Sequence, residues 1–363
     1  MTICSIEAIP LNLPYEIFGP KPMLGGQPRQ MDMLLVRVET SDGVVGWGEA
    51  FGYAVWPATR SALERLVAPL AIGQDGDDIA GLMDQLHRAL HLLGRTGPVM
   101  YALSGLDIAL WDIAGKKAGK SVSELLGGTR HQDLPVYASL MRYGDVALVA
   151  RNAARARDNG YHSIKVHERG VAQIRAVRQA IGPDVTLTMD CTCPWTVAQA
   201  IDIAEQVKPY DLLWLEEPVW PPEDFAGLAQ VRRAAGIPIA AGENAVSPKN
   251  FEQLFLAEAV DIAQPSVTKI GGITEFMKVI TCAREHNVAV APHCPYFGPG
   301  LLASVHIFAS IATETMLEYS YAELGANPLG SAIEIENGRI QVPSGPGLGR
   351  DPDPDVVSRY RVA

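Results

Sequence analysis

Cysteine is scarce in this chain, and its few positions are scattered. Five cysteines occur among 363 residues, and they form neither a C-x-x-C pair nor a regular series. A framework of structural disulfides and a cysteine-rich zinc site are therefore both disfavoured. The set fits a reducing compartment, so a cytoplasmic location is expected.

Positive charge and long apolar runs are also lacking. Lys and Arg number 30 against 41 Asp and Glu, which gives a formal net charge of −11. This balance disfavours nucleic acid as a partner. The chain has no run of about 20 apolar residues, and its first residues do not combine a basic segment with an apolar one. We therefore expect neither a membrane span nor a signal peptide.

The first third of the chain has the pattern of strands followed by helices. Residues 33–39 and 44–50 have strand character, and Ser41-Asp42-Gly43 between them predicts a tight hairpin. Apolar residues three or four apart then predict helices within residues 79–113. Strands followed by helices, without alternation, favour an α+β domain over residues 1–125.

From Leu134 onward, strand and helix patterns alternate. One alternative for this region is an open, doubly wound sheet of six strands, but eight units at nearly constant spacing favour a (β/α)8 barrel over residues 126–335. The expected fold class is therefore α/β, a barrel with an N-terminal α+β cap. The tail, residues 336–363, is rich in Pro and Gly and is expected to be a loop that returns to the cap. The eight candidate strands end near Leu140, His167, Asp190, Glu217, Glu243, Pro265, His293 and Glu318.

Three successive strands carry acids at a regular spacing. Asp190, Glu216 and Glu243 lie 26 and 27 residues apart, which suits one strand, one helix and their connecting loops. In a barrel the carboxyl ends of the strands open on one face, so these three side chains would meet. They would repel one another without a cation between them, and oxygen ligands suit a hard ion. The spacing therefore predicts a Mg²⁺ site.

Further polar residues follow the other strands. Lys165 and His167 are two apart and so share one strand face, and Ser266, His293 and Glu318 lie at later strand ends. Any one of them alone is most simply a solvated loop residue. Their convergence on one barrel mouth predicts catalysis.

In these residues and in several motifs, the chain resembles the mandelate racemase subgroup of the enolase superfamily. The resemblance implies a modified barrel, one Mg²⁺ held by Asp190, Glu216 and Glu243, and removal of the proton α to the carboxylate of a small substrate. It also implies a homo-oligomer, and a Glu217 side chain that points away from the metal. The motifs are GVVGWGEA at 43–50, LEEP at 215–218, GEN at 242–244 and KIGG at 269–272.

The resemblance also implies roles for the other site residues. Lys165 matches a lysine that binds the substrate carboxylate, and Glu318 matches an acid that must be protonated to do the same. His167 stands in the position of a base, and the Lys165 ammonium group should keep it neutral. A carboxyl near a bound anion should have a raised pKa, so the pKa of Glu318 is expected to be high.

The opposite face of the site departs from the subgroup. His293 matches the opposing base, but Ser266 replaces the Asp that normally orients it. A hydroxyl stabilises an imidazolium less than a carboxylate does, so His293 should be a weaker base with a less fixed tautomer. Two-way racemisation needs a competent base on each face. The departure therefore favours one-way elimination.

The expected function is thus a Mg²⁺-dependent acid-sugar dehydratase, a lyase. The alternatives are a racemase, an epimerase or a lactone cycloisomerase, and a non-catalytic barrel is disfavoured because the whole set of site residues is retained. Cys193 and Cys294 either face the site or are buried as small apolar residues. Two loops of the first domain are expected to cover the substrate, and their candidate contacts are Tyr15, Lys21, Arg29, Tyr53 and Trp56.

Overall fold

The N-terminal part of the chain is an antiparallel sheet covered by helices. The computed structural model describes residues 1–24, 27–28, 30–330 and 333–363. The strands of this part are β1 (Ile3–Leu13), β2 (Tyr15–Glu16), β3 (Met23–Leu24), β4 (Gln27–Pro28), β5 (Met31–Thr40) and β6 (Val45–Ala50). The sheet has the order β1-β5-β6, and the predicted hairpin joins its last two strands, with Gly43 at a φ of 80°.

A long helix packs against this sheet at very short range. A Cβ atom on Gly48 of β6 would lie 1.9 Å from the carbonyl oxygen of Gly105, so only glycine permits this approach. Gly46 and Gly48 of the GVVGWGEA motif therefore have a packing role, since a Cβ atom on Gly46 would likewise lie 2.3 Å from the Ala109 carbonyl oxygen. The helices are α1 (Trp56–Ala62), α2 (Ala68–Ala71), α3 (Ile79–Ala89), α4 (Pro98–Ala118) and α5 (Val122–Leu125); the helix that covers the sheet is α4.

Eight parallel strands then form the barrel, as predicted. The first seven pair in chain order, and the eighth returns to pair with the first. Its strands are β7 (Asp133–Leu140), β8 (Ser163–Val166), β9 (Thr186–Asp190), β10 (Leu212–Glu216), β11 (Ile239–Ala241), β12 (Ile262–Ala263), β13 (Ala289–Val290) and β14 (Leu317–Ser320). Seven helices lie between them: α6 (Val146–Asp158), α7 (Val171–Ile181), α8 (Val197–Val207), α9 (Phe225–Ala235), α10 (Pro248–Leu256), α11 (Gly272–Glu285) and α12 (Pro299–Ser310).

The C-terminal residues contain short strands and a helix rather than a plain loop. Strand β15 (Glu323–Leu324) pairs with β2, and the hairpin of β16 (Ile335–Glu336) and β17 (Arg339–Gln341) extends the barrel sheet beside β7. Helix α13 (Pro354–Tyr360) lies against β1, and the N–H of Val362 donates to the Pro10 carbonyl at 2.9 Å. The chain end therefore contacts the N-terminal sheet.

Two buried carboxylates of the N-terminal part reach the first turns of barrel helices. Asp107 of α4 accepts the N–H of Thr274 in α11 at 3.1 Å, and Glu49 of β6 accepts the N–H of Gly300 in α12 at 2.9 Å. Burial raises the pKa of each carboxyl to about 7. These contacts join the two parts through the unpaired N–H groups of helix N-termini. Among the described residues, no helix is long and apolar enough to cross a membrane.

Candidate active site

The carboxyl ends of the barrel strands bring the predicted acids together. Asp190 ends β9, Glu216 ends β10, and Glu243 follows β11. One carboxylate oxygen from each lies within 4.8 Å of the others, and Asp190 and Glu216 are buried. Three carboxylates with oxygen donors only are a suitable ligand set for a hard divalent cation. This group is the acidic triad.

Lys165 lies completely buried beside the acidic triad. Its Nζ atom is 2.8 Å from Glu216 Oε1, 2.8 Å from Glu318 Oε1 and 3.2 Å from Asp190 Oδ2. Burial alone would lower the pKa of this lysine, but the surrounding carboxylates raise it well above its usual value. Lys165 is therefore a fixed positive charge, which is the property needed to hold an anionic substrate.

His167 has one ring nitrogen committed and one available. Its Nδ1 lies 2.6 Å from the Leu140 carbonyl oxygen, which can only accept, so Nδ1 carries a proton. Its Nε2 lies 3.1 Å from Asp190 Oδ2. Burial and Lys165 act to lower the pKa of His167, but Asp190 outweighs them and the pKa is raised, which is the opposite of the direction expected from Lys165. Nε2 is therefore the ring nitrogen of His167 that can take up or release a proton.

His293 lies at the other side of the acidic triad. Its Nε2 is 2.9 Å from Glu243 Oε2, and its Nδ1 is 3.2 Å from the Ser266 hydroxyl. Ser266 in turn shares a short hydrogen bond with the hydroxyl of Tyr296. The imidazole is therefore anchored by two neutral hydroxyl groups in series. Sequence reasoning identified Ser266 but missed Tyr296, whose pairing depends on how the loop after β13 folds back.

Glu318 behaves differently from the sequence-based expectation. It accepts hydrogen bonds from the Ser139 hydroxyl at 2.7 Å and from the Cys294 N–H at 2.8 Å, besides contacting Lys165. Burial acts to raise the pKa of Glu318, but Lys165 outweighs it, and the pKa is lowered. A raised pKa was expected, so that expectation is wrong. The ionised carboxylate holds Lys165 in place.

Glu217 turns away from the acidic triad. Its carboxylate accepts from Asn244 Nδ2 at 3.1 Å and from the half-buried Cys193 thiol at 3.3 Å. Burial, followed by repulsion from Glu243, raises its pKa well above the usual value. Cys294 is fully buried, and its thiol forms a hydrogen bond with Ser304 of α12. The two cysteines therefore have different surroundings.

Lys269 of the KIGG motif is a buried cation that sequence reasoning left without a role. Its Nζ lies 3.4 Å from Asn244 Oδ1 and 5.1 Å from the ring centre of Phe51. Burial acts to raise the pKa of Glu243, but His293 and Lys269 outweigh it and lower that pKa. The position of the motif in the connection between β12 and α11, at the carboxyl-terminal side of the strand, was the available signal.

The candidate loop residues of the first domain differ in whether they contact the site. The Tyr53 hydroxyl donates to the Pro295 carbonyl at 3.3 Å, two residues from His293. Lys21 Nζ lies 4.1 Å from the ring centre of Tyr15, and Trp56 begins α1 and packs on the cap core. Arg29 lies outside the described residues. Of the described candidates, Tyr53 has a contact with a loop of the site.

The Ser266–Tyr296 pair leads to a stability prediction. We expect Tyr296→Phe to lower the free energy of unfolding by about 1–3 kcal/mol, because Ser266 loses one of its two buried hydrogen-bond partners. Tyr137→Phe is the matched control, since the buried Tyr137 hydroxyl has no hydrogen-bond partner among the described residues. Urea unfolding of both variants measures the difference. Equal stability of the two variants would contradict the assigned pairing.

Comparison with known proteins assigns the family. The model of the mandelate racemase / muconate lactonizing enzyme N-terminal domain matches residues 12–127, and the model of the enolase C-terminal domain-like family matches residues 148–356. The chain therefore belongs to the enolase superfamily, in its mandelate racemase / muconate lactonizing enzyme group. Membership implies a divalent metal, and the acidic triad fits one.

Several characterised relatives act on sugar acids or their lactones. The chain is 34% identical to a D-galactarolactone cycloisomerase of Agrobacterium fabrum, over 91% of each chain. It is 30% identical to an arabinonate dehydratase of Saccharolobus solfataricus, also over 91% of each. Among solved structures, a 3,6-anhydro-D-galactonate cycloisomerase from Zobellia galactanivorans matches with a TM-score of 0.87 and 31% identity, over 100% of each chain.

Proposed function

We propose that this protein is a Mg²⁺-dependent sugar-acid dehydratase. The proposal rests mainly on two imidazoles, His167 beside Asp190 and His293 beside Glu243, at separate edges of one acidic triad. A dehydratase needs a base for the α-proton and an acid for the departing β-hydroxyl. Two proton-transfer groups on different strands meet this need. The names of relatives such as the arabinonate dehydratase support the same substrate class.

The acidic triad would hold the metal. Asp190, Glu216 and Glu243 would bind Mg²⁺, which would supply positive charge for the substrate carboxylate when its α-proton is removed. The chain's own residues do the remaining work. The fixed ammonium group of Lys165 binds the same carboxylate, and Glu318 keeps that ammonium group in place.

The two histidines divide the proton transfers. Leu140 fixes the Nδ1 proton of His167, so Nε2 is the atom that takes the α-proton. His293 presents its own Nε2 beside Glu243 from the loop after β13 and delivers a proton to the leaving oxygen. Ser266, a neutral partner, gives His293 less support as a strong base than a carboxylate would, and this favours one-way elimination.

A lactone cycloisomerase is the second candidate. The named cycloisomerase relatives support it, one of them at 34% identity. Ring opening of a lactone uses the same first step, removal of the α-proton, and only the leaving group differs: a ring oxygen replaces the hydroxyl. The same residues can therefore catalyse both reactions, and the two functions are distinguished by identifying the product.

A substrate panel distinguishes these functions. The native protein with Mg²⁺ is incubated with D-galactonate, D-gluconate, D-xylonate, D-arabinonate, galactarate and D-galactarolactone, and the products are trapped with semicarbazide and weighed by mass spectrometry. We expect a keto acid lighter than its parent acid by one water. A keto acid of unchanged mass from the lactone alone would establish the cycloisomerase instead. An epimer of unchanged mass without a keto group would overturn both.

A further inference from the structure

The N-terminal part of the chain holds the barrel loop that carries His293. This segment, residues 291–298, connects β13 to α12 and is called the His293 loop. Phe297 of the loop is 4% exposed and packs in an apolar cluster with Met33 of β5. The Tyr53 hydroxyl donates to the Pro295 carbonyl at 3.3 Å. The loop therefore lies against the cap domain rather than projecting into solvent.

The carboxyl group of Glu49 connects the N-terminal part of the chain to the end of the His293 loop and the start of α12. Its Oε2 accepts the N–H of Gly300 at 2.9 Å, and its carboxylate also accepts the N–H of Gly298. Helix α12 has no side-chain cap at its own N-cap residue, Gly298. A carboxylate satisfies such unpaired N–H groups and interacts favourably with the helix dipole. Glu49 therefore caps α12 from another domain.

The contact is close enough to fix the loop backbone. A Cβ atom on Gly298 would lie 2.8 Å from Glu49 Oε2, and one on Gly300 would lie 2.7 Å from Thr268 Cγ2. Glu49 itself is 5% exposed, so it does not move freely in solvent. The end of the His293 loop is thus clamped between β6 and the barrel.

The clamped loop is connected to the His293 imidazole through Tyr296. Tyr296, near the middle of the loop, shares its short hydrogen bond with Ser266, and Ser266 contacts His293 Nδ1 at 3.2 Å. A shift at Gly298 would move Tyr296 and with it the hydroxyl that anchors the imidazole. His167 directly follows β8 and takes no part in these contacts. The two histidines therefore have separate supports.

We propose that Glu49 is a positioning residue for His293. By fixing the His293 loop, Glu49 positions the acid that protonates the leaving group, whereas the position of His167, the base that removes the α-proton, does not depend on it. This inference rests on the proposed function of the two histidines. It assigns the cap domain a direct part in the second half of the reaction. The two halves should then separate when Glu49 is changed.

The test compares proton exchange with product formation. Glu49→Ala is incubated in D₂O with Mg²⁺ and the panel acid that the native protein converts fastest. We expect product formation to fall about 10- to 100-fold, as for other misplaced catalytic groups. Deuterium incorporation at the α-carbon of recovered substrate should continue, and KM should change little. The ratio of exchange to product therefore rises.

Three further variants sharpen the comparison. Glu49→Gln keeps a carbonyl oxygen that accepts both N–H groups, so it should restore most of the product formation. The side chain in Glu49→Asp is one methylene shorter, so its carboxylate should no longer reach the loop. This variant should show the same raised ratio of α-proton exchange to product formation, even if Glu49→Ala does not fold. Asp107→Asn is the control. Asp107 is also a buried carboxylate of the N-terminal part, but it accepts the N–H of Thr274 in α11 and does not touch the His293 loop. Its ratio should equal the native one.

The outcomes are distinct. A raised ratio in Glu49→Ala and Glu49→Asp, with a native ratio in Asp107→Asn, supports the positioning role. A parallel fall of exchange and product in Glu49→Ala and Glu49→Asp, or native behaviour of these two variants, overturns it. If the native protein converts no panel acid, the proposed function fails. Amide hydrogen exchange then tests the clamp, and unchanged exchange of Gly298 and Gly300 in Glu49→Ala overturns it.

Discussion

Replacing His167 by Asn is expected to lower kcat by about 10²–10⁴-fold, the usual loss for a general base. The reason is geometric: Nδ1 is committed to the Leu140 carbonyl, so only Nε2 is available to take the α-proton. Asn retains an amide that donates to that carbonyl but has no group to accept the proton. Steady-state kinetics on the panel acid, with metal affinity measured by calorimetry, check the prediction.

A matched control separates this effect from a general one. His91 is an exposed histidine whose Nδ1 also bonds to a backbone carbonyl, that of Arg88. His91→Asn should leave kcat within about twofold of the native value, as expected for a surface substitution away from the site. Comparable losses in the two variants would remove His167 from the role of base.

Removal of the divalent cation has the other large expected effect. Chelation should abolish turnover, and added Mg²⁺ should restore it, because the acidic triad brings three carboxylate oxygens within 4.8 Å. The melting temperature should also rise with Mg²⁺, since a ligand that binds only the folded state stabilises it. Activity assays and thermal melts, with and without chelator, measure both effects.

The triad itself is tested by Glu243→Gln. This variant replaces one of the three anionic ligands by a neutral amide, so it should weaken the Mg²⁺-dependent rise in melting temperature and lower activity at limiting Mg²⁺. Glu223→Gln removes an exposed acid near the same barrel mouth and should respond to Mg²⁺ as the native protein does. Full activity of the chelated native protein would show that the triad has no catalytic metal.

The barrel was predictable because its pattern is local and repeated. Asp190, Glu216 and Glu243 recur at the interval of one strand-helix unit, and each strand end lies within a few residues of its predicted position. Spacing along the chain therefore predicted that these side chains meet. The same rule predicted that Lys165 of β8 and Glu318 of β14, which lie on either side of β7, converge on the site.

Contacts that depend on loop conformation were not predictable in this way. Tyr296 reaches Ser266 only because its loop folds back, and Glu49 reaches Gly300 across 251 residues of sequence. The directions of the pKa shifts at His167 and Glu318 were not predictable for a related reason. Sequence order places Lys165 near His167, but the structure also brings Asp190 Oδ2 to 3.1 Å from His167 Nε2, and Asp190 raises the pKa of the imidazole.

The most direct test of the account follows the α-proton itself. Native protein, His167→Asn and His293→Asn are incubated in D₂O with Mg²⁺ and both α-epimers of the converted acid, and deuterium at the α-carbon is measured by NMR. The account predicts exchange from one epimer in the native protein. His293→Asn should retain that exchange while losing product, and His167→Asn should lose both. Exchange at the native rate in His167→Asn, or equal exchange from both epimers in the native protein, would contradict it.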